Sequence, residues 1–153
     1  MSNLDAFLAM IGTSEGTRAI PNSDDGYRVI VGSTPQKPFL FDSYADHPRV
    51  RVHLRPDLVS SAAGRYQILE RYYDAYKATL GLKDFSPKSQ DAIAVQMIRE
   101  KGAFADVAAG RFDEAVARCA GLWASLPGND YGQHQNALVS LRQAFAEAGG
   151  VFA

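Results

Sequence analysis

At 153 residues, 46% hydrophobic and 22% charged, the chain is long enough for one globular domain with its own core. A net charge of -1 and an isoelectric point near 6.3 offer no strong field for nucleic acid or an anionic membrane, so neither is expected as a partner. A lone cysteine, Cys119, excludes an internal disulfide and any cysteine-based metal site, and the three histidines (His47, His53, His134) lack metal-ligand spacing.

In chain order, residues 3–14 place Leu4, Phe7, Leu8 and Ile11 at helical spacing, with Asn3 as the expected N-cap. This segment lacks the basic region of a signal peptide, and no apolar run reaches the ~18 residues of a membrane span. Synthesis in a reducing cytoplasm and no stable membrane association are the expectation. From Gly16 to Val59, β-leaning pieces at 27–32, 39–41 and 50–54 alternate with Gly, Pro, Asp and Ser turn signals, which predicts a small antiparallel sheet. Arg49, Arg51 and Arg55 read as a solvated face.

The texture turns helical after Ser61. Residues 64–81 set Ile68, Leu69, Tyr72, Tyr73, Tyr76 and Leu80 on one stripe, read as core, with Gly81 as the stop. Ser86 and Pro87 then open a helix that turns Ile93, Ala94, Met97 and Ile98 inward. Two more helices are predicted at 112–124, holding Cys119 and Trp123 as core residues, and at 135–148, ended by Gly149 and Gly150. The class is α+β: a β-rich lobe at about 17–59, a helical lobe made of 1–16 and 60–153, and a cleft between them.

The stretch MIGTSEGTRAI (10–20) contains the one residue set against its local preference. Glu15 falls at the predicted C-terminus of the first helix, where the negative end of the macrodipole disfavours a carboxylate by roughly 0.3–1 kcal/mol. A carboxyl with a raised pKa suits a general acid that protonates a glycosidic oxygen. The usual hydrolytic scheme adds a second carboxylate, for which Asp24, Asp25, Asp42 and Asp46 are candidates. Glu15 and Asp24 match part of the Glu-x8-Asp-x5-Thr spacing of T4-type phage lysozymes, but Ile30 stands at the threonine position, and an ordinary solvated turn is the favoured reading of SDDG. A second route needs one carboxyl only: a muramic acid C6 hydroxyl attacks its own anomeric carbon, leaving a 1,6-anhydro sugar. Spacing does not choose between these routes.

Six segments, SEGT (14–17), YRVIVGS (27–33), DHPR (46–49), SSAAGRYQIL (60–69), LGLKDFSPKSQDAIA (80–94) and LWASLPGNDYGQ (122–133), occur in this order. Together they closely resemble the lysozyme family of phage lambda over nearly the whole chain. The resemblance implies a lysozyme-like fold and a lytic transglycosylase acting on the MurNAc–GlcNAc bonds of peptidoglycan, an endolysin that bursts the bacterial host. It implies Glu15 of the SEGT motif as the catalytic acid, favours the one-carboxyl route, and calls for no metal or cofactor. The tryptophan-rich character of the family is reduced to Trp123, and PQKPFLF is longer than its counterpart.

Within that resemblance Tyr66 and Gln67 of AGRYQ are candidate substrate contacts, because Gly-x-x-Gln holds a sugar N-acetyl group in other lysozyme-like transglycosylases and an amide offers both donor and acceptor. Tyr131, to stack on sugar or bond Glu15, and Gln133 of NDYGQ join them. Asp46 and His47 are read as ordering their loop, with a base role for His47 the sharper alternative; Ser14 and Thr17 are read as bonding Glu15 or capping the turn. The expected partner is the glycan strand, met by a monomer that leaves the cytoplasm through a separate holin-type route. The rival readings are a hydrolytic muramidase pairing Glu15 with a carboxylate such as Asp24, and a non-catalytic peptidoglycan-binding domain.

Overall fold

The first helix, α1 (Asn3–Ser14), is capped by Ser2 and not by Asn3. In the computed structural model, which describes residues 2–153, Ser2 Oγ accepts the Asp5 N–H at 3.1 Å while the Asp5 carboxylate accepts the Ser2 N–H at 3.3 Å. This reciprocal pair satisfies two of the helix's orphan donors. Asn3 is thereby free to reach a distant part of the chain. Its amide donates to the carbonyls of Ala108 and Val151, and its oxygen accepts from Val151 N–H at 2.8 Å.

After α1 and a short 3-10 turn at Thr17–Ala19 come β1 (Val52–Arg55), β2 (Leu58–Ser60) and α2 (Glu70–Leu80). They are followed by α3 (Pro87–Glu100), α4 (Phe104–Ala109), α5 (Phe112–Cys119) and α6 (Leu138–Glu147). The class is α+β, as expected. The chain divides into two compact units, one comprising the chain up to Glu15 with Ala94–Ala153, the other Gly16–Ile93.

In the first unit α1 is buried from Ala6 to Gly12, the mark of a helix that is apolar all round, and it packs on α4 and α6. An aromatic cluster completes this core: Phe112 lies 5.9 Å from Phe7 and 4.9 Å from Phe145, and Phe145 lies 5.2 Å from Phe152. α5 buries Phe112, Ala115, Val116 and Cys119 at helical spacing and places Asp113 and Glu114 in its first turn, where the macrodipole favours them. It stops at Cys119, short of the predicted 124; Trp123 is buried all the same, from the turn that follows. α4 has no counterpart in the predicted elements. Gly110 ends it with φ 79°, and a Cβ there would sit 2.2 Å from the Val151 carbonyl, so only glycine lets the tail 151–153 lie across this corner. α6 starts at Leu138, not 135, because Asn136 is engaged with another segment through its backbone.

The second unit carries less sheet than its sequence suggests. β1 and β2 pair antiparallel, Val52 with Ser60 and Arg55 with Leu58, with an irregularity between His53 and Arg55. The other two β-leaning pieces reduce to single bridges, Val29 with Leu40 and Ile30 with Ala63. α2 begins at Glu70 and not at 64, because Gly64 (φ 82°) and Gln67 (φ 53°) fold 63–68 into a tight reversal closed by the Ala63–Ile68 bridge. Its stripe is thinner than predicted: Tyr73 is fully buried while Tyr72 is 44% exposed. Gly81 ends the helix in the left-handed region as expected. Phe85 organises this core, with ring centroids 4.9 Å from His47, 5.1 Å from Tyr73 and 5.9 Å from Phe41.

Candidate functional site

Glu15 is the C-cap of α1, and its own N–H closes the helix on the Ile11 carbonyl at 2.9 Å. Gly16 follows with φ 78° and turns the chain away, so the carboxylate is held at the helix end by the last regular backbone bond. The side chain is half-buried, and no salt bridge among the described residues includes it. Burial pushes its pKa above the ordinary carboxylate value, and one hydrogen bond, from Ser125, acts in the opposite direction.

That bond is short: Ser125 Oγ donates to Glu15 Oε2 at 2.5 Å. Ser125 Oγ also lies 2.8 Å from Ser14 Oγ, and the Asn136 amide donates to the Ser14 hydroxyl at 3.0 Å and to its carbonyl at 2.9 Å. The seat of Ser125 is built by the backbone around it. Asn136 N–H donates to the Ser125 carbonyl at 2.8 Å, and the neighbouring Trp123 and Leu126 are buried. Asn129 closes the loop by donating to the carbonyls of Ala120, Ala124 and Leu126 at 3.0, 3.3 and 2.8 Å. Of this set the sequence points to Glu15 and Ser14 only. It misses Ser125, Asn129 and Asn136; LWASLPGNDYGQ spans two of them, but as a turn it shows no donor aimed at a residue 110 positions away.

Tyr131 does not bond Glu15. Its hydroxyl donates to the Gly121 carbonyl at 2.7 Å, the residue is 54% exposed, and Gln133, two residues on, is exposed as well. Cys119 is buried and its thiol pKa is pushed up to about 12, so it is a core residue and no nucleophile.

In the second unit Tyr66 is 1% exposed and its hydroxyl donates to Asp91 Oδ1 at 2.5 Å; burial, and after it the Asp91 carboxylate, drives its pKa far above the phenol range. Tyr27 donates to the same oxygen at 2.8 Å. The buried Arg65 guanidinium reaches Tyr27 Oη and Asp25, both at 3.0 Å, and Gln90 ties Arg65 N–H to the carbonyls of Tyr27 and Phe85. Tyr66 thus holds the 63–68 reversal from within. Gln67, next to it, is half-buried; its Nε2 donates to the Gly64 carbonyl at 2.9 Å, and its side-chain oxygen has no protein partner among the described residues. The Thr17 hydroxyl donates to the Arg65 carbonyl at 2.7 Å, so its hydrogen is not directed at Glu15.

Each alternative carboxylate of this unit has a partner. Asp24 accepts from Tyr44 Oη at 2.5 Å and takes φ 54°, Asp25 pairs with Arg18 and Arg65, and Asp42 pairs with Arg28. Asp46 pairs with Arg49, whose guanidinium holds the Asp46 carboxyl below its usual range. His47 is buried with both ring nitrogens occupied, Nε2 against the Ile68 carbonyl at 2.8 Å and Nδ1 accepting Arg49 N–H at 3.0 Å. It orders the loop and has no lone pair left for a base role. Among the described residues no group of three or more His, Cys, Asp or Glu could hold a metal ion, and no helix is long and apolar enough to cross a membrane.

A family model described as Endolysin matches residues 5–152. The endolysin of Escherichia phage lambda is 51% identical over 147 residues, covering 95% of this chain and 90% of that protein. The endolysin of Escherichia phage P2 is 46% identical over 157 aligned positions, covering 97% and 94%. Among solved structures, lambda lysozyme complexed with a chitohexasaccharide superposes with a TM-score of 0.92 at 49% identity, over 100% of this chain and 98% of that one. A second structure of the lambda lysozyme gives 0.88 at 48% identity.

Proposed function

Because the chain belongs to the endolysin family of lysozyme-like phage lysis enzymes, we propose that it is a lytic transglycosylase that cleaves MurNAc-β-1,4-GlcNAc bonds with Glu15 as its acid and then its base. The lambda lysozyme's complex with a chitohexasaccharide, a β-1,4 glycan, supports a glycan strand as the substrate here too. In the first step the Glu15 proton passes to the glycosidic oxygen, the C1–O4 bond breaks, and GlcNAc leaves with a free 4-hydroxyl. In the second the MurNAc C6 oxygen bonds to C1 and its proton passes to the Glu15 carboxylate. The product is 1,6-anhydro-MurNAc, no water is consumed, and Glu15 is restored to its starting form.

The observation that carries this reading is the contrast among the carboxylates. Glu15 stands without an ion pair in a site that favours its protonated form, while Asp24, Asp25, Asp42 and Asp46 are each bound to a tyrosine or an arginine. A hydrolytic scheme needs one of them as a nucleophile or a water-activating base; the anhydro route needs none. Gln67, through its side-chain oxygen, would accept from a sugar acetamido N–H, and the exposed Tyr131 would stack on a pyranose face, with Gln133 two residues on. Tyr66 acts by supporting Gln67. The enzyme would be made in the host cytoplasm and reach the wall through a lesion supplied by another protein.

Mass spectrometry of digested peptidoglycan tests the reaction type: the released muropeptides are expected to end in an anhydro sugar, lighter by one water, and reducing ends in their place would make the enzyme a muramidase. Glu15→Gln is expected to cut lysis of isolated walls by at least roughly 10²–10⁴-fold, the usual contribution of a general acid–base. Near-normal clearing by that variant would remove Glu15 from the mechanism.

A further inference from the structure

We propose that Asn136, Ser14 and Ser125 form a one-way hydrogen-bond array that keeps Oε2 of Glu15 a permanent acceptor and leaves Oε1 as the oxygen that gives up and regains the proton. This rests on the reading of Glu15 as the acid, and the three residues are positioning residues that act through it.

The direction of the array follows from what each group can do. An amide nitrogen cannot accept, so the array starts at Asn136, whose Nδ2 donates to Ser14 Oγ at 3.0 Å. The same Nδ2 donates to the Ser14 carbonyl at 2.9 Å, and a carbonyl can only accept, which keys the amide the same way round; the Asn136 oxygen faces His134 Nε2 at 3.3 Å. Ser14 is 8% exposed and has one hydroxyl hydrogen, and the acceptor in its reach among the described residues is Ser125 Oγ at 2.8 Å. Ser125 Oγ therefore accepts on that side, and its own hydrogen lies on the 2.5 Å line to Glu15 Oε2. Reversing the array would leave the buried Ser14 hydrogen without an acceptor, a cost that the native order avoids.

With a hydrogen already on the line to Oε2, the proton of the neutral acid sits on Oε1. When it leaves, the developing charge on the carboxylate meets a donor that needs no reorientation. The array carries no formal charge as far as His134, the exposed titratable group at its far end, and no salt bridge among the described residues reaches Glu15. In this unit α1 supplies Ser14, the turn at 123–126 supplies Ser125 and the segment before α6 supplies Asn136, none of them ionisable. Burial and these neutral donors together govern the ionisation of Glu15.

The decisive measurement is the carboxyl-carbon NMR titration of Glu15 in the free protein, which needs no substrate. Ser125→Ala is expected to move that titration, and with it the alkaline limb of kcat, to higher pH. Ser125→Thr keeps the hydroxyl and is expected to restore both. Asn136→Ala is expected to move them the same way by less, and to add nothing once Ser125→Ala has cut the array, because links in series are not additive. A neutron density map is expected to place the Glu15 deuterium on Oε1. An unmoved titration in folded Ser125→Ala, a full additional shift from Asn136→Ala in that background, or deuterium on Oε2 would each overturn the array; should Ser125→Ala not fold, Asn136→Ala and the neutron map decide. Normal lysis by Glu15→Gln would instead overturn the functional reading and leave these titrations to stand or fall separately.

Discussion

Glu15 of the first unit and the aspartates of the second are held in opposite ways, and Asp106 of the first unit, paired with Arg111 and Arg118, follows the second pattern. In the first, Glu15 meets a single neutral hydroxyl, and burial raises its pKa. In the second, Asp46 and Asp74 share the Arg49 guanidinium and are held below the usual carboxylate range, while Asp91 accepts two phenols beside the buried Arg65. Under the proposed mechanism, the carboxyl that exchanges a proton meets a donor without charge, while the carboxyls that stay acceptors are placed among arginines and tyrosines. Removing the first kind should cost activity and spare the fold, and removing the second should do the reverse.

Asp91→Ala should break the contrast most visibly. It removes the charged acceptor of the buried Tyr66 hydroxyl and of the Tyr27 hydroxyl in one step, at about 1.5–3 kcal/mol for each hydrogen bond to a charged group, so a loss of about 3 kcal/mol is expected in urea unfolding. A midpoint within error of the parent would show that Asp91 is dispensable to the second unit. Next in size is Asn129→Ala, which frees three carbonyls of the loop that seats Ser125. About 1–3 kcal/mol of stability should go, and lysis should fall as well, since the loop carries the donor to Glu15. Loss of stability with unchanged specific activity would detach this loop from the site.

The smallest effect sharpens the comparison through pH. Glu15 has a folded pKa above its unfolded value of 4.5, so above pH 4.5 the folded state binds more protons and stability drains as pH rises through the folded pKa. Glu15→Gln removes that liability. The variant should melt higher than the parent at neutral pH, and the gap should close as pH falls toward 4.5. Calorimetric scans across that range check the sign, and a gap that widened on acidification would mean that Glu15 is ionised and stabilising in the folded protein.

Much of the fold is legible in the residue order. Ser86 and Pro87 do open α3, Gly81 and Gly149 do end their helices with positive φ, and Ile93, Ala94, Met97 and Ile98 do point inward. Each of these is a local signal, read from periodicity or from a residue suited to a cap. The departures fall where a distant contact overrides the local one. Residues 64–69 have helical spacing, yet Gly64 packs so closely on Gln90 that a Cβ would meet its Oε1 at 2.3 Å, and the reversal displaces the helix start to Glu70. The pieces at 27–32 and 39–41 have strand-like composition, yet they find only isolated bridges, Val29 with Leu40 and Ile30 with Ala63, and no ladder.

The site divides along the same line. Sequence alone determined that an acidic residue would end the first helix, because helix periodicity and the Ser-Glu-Gly-Thr turn are properties of neighbouring residues. Which groups surround that carboxylate was decided only in three dimensions: Ser125 comes from 110 residues away and Asn136 lies 122 from Ser14. The same holds for Asp24 and His47, whose types fit catalysis: Tyr44 Oη donates to one Asp24 oxygen, and His47 directs its Nε2–H to the Ile68 carbonyl while its Nδ1 lone pair accepts Arg49 N–H. A hydrogen bond needs its two atoms within about 3 Å, and no spacing along a chain encodes that closeness until the core has folded.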